Sequence, residues 1–121
     1  PPVDMDRLRE LTDGSENGVR ELVKLYVEQT GLQIQQLETA IREGEAAVVR
    51  RVAHSCAGAS ATCGMTDIVP LMREMERQGF EGKLTTAATV CAEAAREFVR
   101  ICSFLAPFTS SGESNSSAGQ P

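Results

Sequence analysis

The chain has 121 residues, 41% of them apolar, and a formal net charge of −5. That is the size of one domain with a modest core. The acidic balance, with no basic patch among aromatics, disfavours nucleic-acid binding, and no apolar run approaches the ~18 residues of a membrane span. With no Trp, one Tyr and four Phe, the core must come from Leu, Val, Ile, Met, Ala and Cys.

Five helical stretches follow in chain order. A short one covers Met5 to Leu11, with Asp4 as N-cap and Gly14 beyond its end. The second runs from Asn17 to Arg42. Its residues Val19, Leu22, Val23, Tyr26, Val27, Thr30, Ile34, Leu37 and Ile41 recur at spacings of three and four, the period of an amphipathic helix. The third runs from Glu45 to Cys63, and Gly64 stops it. The fourth starts at Thr66 or Asp67 with Pro70 in its first turn, where a missing N–H costs little. Ile68, Leu71, Met72 and Met75 form its stripe, and Gly79 closes it. The fifth runs from Lys83 to Ala106, where Pro107 ends it.

No β-type alternation competes. The pattern predicts an all-α fold, an antiparallel up-down four-helix bundle with a short extra N-terminal helix capping one end. The bundle domain takes residues 1–108, and residues 109–121 read as a disordered tail or linker. The linker-like tail and a start on Pro1 and Pro2 rather than Met lean toward a piece of a longer protein. A monomer is expected if the helices bury their own stripes.

Cys56, Cys63, Cys91 and Cys102 form no CxxC pair, and each falls among apolar positions. They read as core residues in a reducing, cytoplasmic setting. No metal site is expected from them.

The only histidine is His54. At about 100° per residue, Val49, Val52, Cys56, Ala59, Ser60 and Cys63 gather on one side of the third helix, and His54 points away. Its surface neighbours are Ala47, Ala57, Gly58 and Ala61, with Arg50 and Arg51 one turn earlier. Gly58 costs roughly 1 kcal/mol relative to Ala inside a helix, so something else requires its missing side chain. A neutral imidazole, with an ordinary pKa of about 6.5, is a good nucleophile near neutral pH. It can accept a phosphoryl group on one ring nitrogen and surrender it again. A bare site lets a partner approach in line and bring its own metal and acidic residues. Ser60 sits at the edge of the inner face, where its hydroxyl can bond back to the carbonyl one turn earlier. Arg73, Glu74, Glu76 and Arg77 read as a solvated helix face with ordinary i,i+3 and i,i+4 pairs.

The segment from Ala53 to Met65 resembles the signature of histidine-containing phosphotransfer (HPt) domains, roughly Ala-His-x-Leu-Lys-Gly-x-Ser-x-x-x-Gly-Ala. Ala53, His54, Gly58, Ser60 and Gly64 match it. Cys56 stands at the usual Leu, and Met65 at the usual small residue. Ile68, Leu71, Met75 and Glu76 reproduce the leucine stripe that follows, which ends in Leu-Glu.

The resemblance implies a phosphorelay intermediate: His54 takes a phosphoryl group from an aspartate on one receiver domain and passes it to an aspartate on another. It implies Gly58 as the position cleared for the docking receiver, and Ser60 as part of the helix-packing surface. Such a domain is a carrier rather than an enzyme. It has no cofactor of its own, and Mg would come from the partner receiver. The implied partners are response-regulator receiver domains and a hybrid sensor histidine kinase, which could be the same chain. Gln29, Gln33 and Gln36 are polar docking candidates on the second helix. Ala57 departs from the pattern, because the family usually carries Lys there. Arg50 or Arg51 is expected to supply the positive charge instead. Two other readings stand beside this one: the phospho-accepting domain of a chemotaxis-type kinase, and a bundle that docks receivers without accepting phosphate.

Overall fold

A computed structural model describes the backbone of residues 1–118 and the side chains of residues 1–109. Every regular element among them is a helix: α1 (Met5–Leu11), α2 (Glu16–Arg42), α3 (Ala46–Thr62), α4 (Val69–Glu81) and α5 (Ala87–Ala118). α3 packs on α2 and α4, and α5 packs on α2 and α4. Each long helix therefore has two neighbours, which is the arrangement of an up-down four-helix bundle. No helix among the described residues is long and apolar enough to cross a membrane.

α1 is capped by the Asp4 carboxylate, which accepts from the Arg7 N–H at 3.3 Å. It ties the N-terminal segment to the end of α3. The Asp4 N–H donates to the Gly64 carbonyl at 2.8 Å, and Arg7 Nε donates to the Thr62 carbonyl at 3.0 Å. Gly64 holds φ at +81°, a left-handed conformation that ends α3 and costs a glycine little.

One core runs through the bundle. Leu8, Val23, Leu37, Val49, Met65, Ile68, Met72, Met75, Ile101 and Leu105 are buried in it. Cys56, Cys63 and Cys91 are buried with them, Cys102 is half-buried, and all four are free thiols. Burial pushes the Cys91 thiol up to about 11 and raises the other three. They behave as small apolar side chains.

The last two helices depart from the sequence expectation. α4 begins at Val69 and continues through Gly79 to Glu81, and Gly82 at φ +75° is the actual stop. Gly79 is buried inside the helix because α3 passes against its backbone. α5 begins at Ala87 rather than Lys83. The buried Gln78 ties that turn: its Nε2 donates to Thr86 Oγ1 at 2.7 Å, and its Oε1 accepts from the Thr86 N–H at 3.2 Å. Pro107 lies within α5 instead of ending it. Proline removes one intrahelical hydrogen bond, and Phe108 just beyond it packs against the core. The expected tail over residues 109–121 thus has helical backbone as far as Ala118, and residues 119–121 lie outside the described residues.

Candidate functional site

α3 is flanked by α2 on one side and α4 on the other, and its packed face extends toward both. Val49, Val52, Ala53, Cys56, Ala57 and Ser60 are all buried. This corrects two placements. Ala57 belongs to the packed face, not to the open surface beside His54, and Ala59 is exposed rather than inner. Ala47 and Ala61 are exposed and Gly58 is half-exposed. A Cβ built on Gly58 meets nothing within 4 Å, so nothing in the domain itself requires glycine there.

His54 stands on this surface with 68% of its side chain exposed. Its ring is nevertheless held. Nδ1 lies 2.7 Å from Oε2 of Glu76 on α4. Oε1 of the same carboxylate accepts from Arg73 Nη1 at 3.0 Å. The bond from His54, and after it the one from Arg73, hold the Glu76 carboxyl below its ordinary range against the opposing effect of partial burial. An ionised carboxylate can only accept. Nδ1 must therefore carry the proton, and on the neutral ring the lone pair is on Nε2. Glu76 is the contact to His54 that sequence reasoning missed. It read as part of a solvated face, which describes Glu74, Arg77 and Glu81, joined by ion pairs along α4. The one signal available was its place at the end of the leucine stripe.

Arg50 and Arg51 diverge from one another. The Arg50 guanidinium stacks over the Phe80 ring, 5.1 Å from its centroid. Arg51 lines a shallow groove between α2 and α3 with Leu32, Gln36, Thr39 and Val48. Among the described residues neither is in a salt bridge, whereas Arg73 and Arg77 are. Gln29 and Gln36 are exposed on α2. Gln33 is buried, and its Nε2 donates to Ser55 Oγ at 3.3 Å, so it serves helix packing instead of display.

Ser60 is fully buried. Its hydroxyl shares a 2.7 Å hydrogen bond with Tyr26 Oη and lies 3.8 Å from Cys56 Sγ. The bond crosses from α3 to α2, where the sequence suggested a local bond to the α3 backbone. Burial raises the Tyr26 phenol above its ordinary value.

Known proteins share this helical bundle. The profile of the Hpt domain family matches residues 21–102. The chain belongs to that family. Histidine phosphotransfer in two-component phosphorelays is the family's function, and Hpt domains meet receiver domains and kinases in doing it. Among solved structures, this Hpt domain is similar to histidine-containing phosphotransfer protein B (HptB) from Pseudomonas aeruginosa PAO1. The TM-score is 0.84 at 24% identity, over 91% of this chain and 96% of that one, a likeness of fold. No curated protein matches.

Proposed function

We propose that His54 is the phospho-accepting residue and that Nε2 is its reacting atom. The observation that supports this is the bond from Nδ1 to Glu76, which leaves an accessible ring with its free lone pair on Nε2. In the forward step, that lone pair attacks the phosphorus of an aspartyl phosphate on a receiver domain. The new bond is N–P. The P–O bond to the aspartate breaks, and the carboxylate leaves with the electron pair. The proton stays on Nδ1, and the ring becomes a phosphoimidazolium whose positive charge faces the Glu76 carboxylate. In the reverse step, a second receiver's aspartate attacks phosphorus and the N–P bond breaks. Transfer of this kind depends mostly on positioning and electrostatics.

The domain acts as a carrier between receiver aspartates. Mg is supplied by the partner receiver, and the partners are response regulators and a hybrid sensor kinase. Arg50 and Arg51, exposed and outside salt bridges, take over the charge that the family's Lys supplies at the position of Ala57. The free thiols favour a reducing, cytoplasmic setting.

The test is transfer from a panel of phosphorylated receiver domains to the native chain and to His54→Gln. Acid-labile label on the native chain, absent from the variant, is the expected result. Label that persists in the variant would overturn the assignment. A native chain that binds receivers but takes no label would mark a docking bundle instead.

A further inference from the structure

α3 and α4 run antiparallel. On α3, Arg50 lies one turn before His54; on α4, Gly79 lies one turn after Glu76. The pairs Arg50/Gly79 and His54/Glu76 are therefore successive rungs of one helix contact. At the first rung the two backbones touch. A Cβ on Gly79 would lie 2.6 Å from the Arg50 nitrogen, 2.8 Å from the Ala46 carbonyl oxygen and 2.9 Å from the Arg50 Cα. None of these atoms is the end of a movable side chain. Any larger residue must push the helices apart by most of an ångström. On the solvent side, Phe80 clasps the same rung through its stack with Arg50.

We propose that Gly79, with Phe80 clasping the contact, is a positioning residue for phosphotransfer: it sets the helix spacing across which Glu76 reaches Nδ1 of His54. At the second rung that reach is 2.7 Å. Lengthened by most of an ångström, it is no longer a hydrogen bond. The ring then loses its fixed tautomer, and free imidazole favours the proton on Nε2, the atom that must attack. Gly79 touches neither phosphate nor partner in this account and acts only through Glu76. The rate consequence rests on His54 being the phospho-acceptor; the tautomer consequence does not.

The experiment is ¹⁵N NMR of the His54 ring at about pH 8, above an ordinary imidazole pKa, in the whole chain and in Gly79→Ala. The native chain should show the Nδ1–H form. Gly79→Ala should shift toward Nε2–H, and phosphoryl acceptance should slow by up to about 100-fold, as misplacements on this scale do. In a Glu76→Ala background, Gly79→Ala should add nothing to either change. Gly31→Ala is the control for a helical glycine: its Cβ meets only the Phe98 ring at 3.7 Å and 3.8 Å, and it should leave the tautomer alone. A folded Gly79→Ala that keeps Nδ1–H overturns the proposal, as does an undiminished rate loss in the Glu76→Ala background. If Gly79→Ala does not fold, Phe80→Ala decides, because it loosens the same rung without a clash. Weakened Nδ1–H supports the proposal, and intact Nδ1–H overturns it. Should no receiver donate to the native chain, the tautomer measurement still gives its answer.

Discussion

The imidazole of His54 and the carboxylate of Glu76 meet across the α3–α4 contact at 2.7 Å, although their side chains are 68% and 24% exposed. A polar contact so open to solvent adds little to stability. Its effect lies in the orientation of the ring and in which nitrogen is free. Glu76→Ala should therefore leave the urea midpoint nearly unchanged and slow phosphoryl acceptance by roughly 10- to 100-fold. An unchanged rate, with the ring signature altered, would separate orientation from chemistry.

Arg50→Ala with Arg51→Ala should slow transfer by roughly tenfold, since each removes a unit charge worth up to about 1 kcal/mol near a phosphoryl group in water. Helicity should be unaffected by circular dichroism. The deficit should shrink as salt rises, because exposed charges are screened. Equal rates at low salt would show that the partner supplies all the charge.

Much of this was legible in the sequence, and the failures have physical causes. α1 to α3 lie within a residue of their expected bounds; Asp4 caps α1, Ser15 caps α2 and Gly64 stops α3, each acting locally. Gly79 misled, since a glycine that ends a helix and a glycine that admits a neighbour's backbone look alike along one chain. Pro107 misled because a proline inside a helix and one that ends it look alike along one chain. Ala57 was misplaced because the sequence gives one helix's periodicity but not how many neighbours crowd it. The His54–Glu76 contact joins two helices, and no local pattern encodes it.

The bond between Tyr26 and Ser60 fixes α2 against α3 beneath the site. Tyr26→Phe and Ser60→Ala should each cost about 1–2 kcal/mol in urea denaturation, as expected when a buried partner is stranded. Together they should cost less than the sum, because the second change removes the group that the first left unpaired. Full additivity would mean that the two hydroxyls do not depend on one another.

Acid should weaken the α4 face. Glu74 is held at about 2, chiefly by its hydrogen bond from Arg77, and Glu76 is lowered, chiefly by His54. Both start from an ordinary 4.5. A carboxylate with a depressed folded value contributes fully above its unfolded value and loses that contribution as pH falls through the folded one. Thermal melts should therefore hold steady down to about pH 4.5 and decline toward pH 2. Glu74→Gln should flatten the lower part of that decline.

Gly58 separates what the fold wants from what the partner wants. The space above it is empty, so Gly58→Ala should raise helix stability by roughly 0.5–1 kcal/mol. The free domain would be better off without its glycine. If the same substitution weakens receiver docking, that vacancy is the imprint of a second protein, held open by a molecule that has to leave between one delivery and the next.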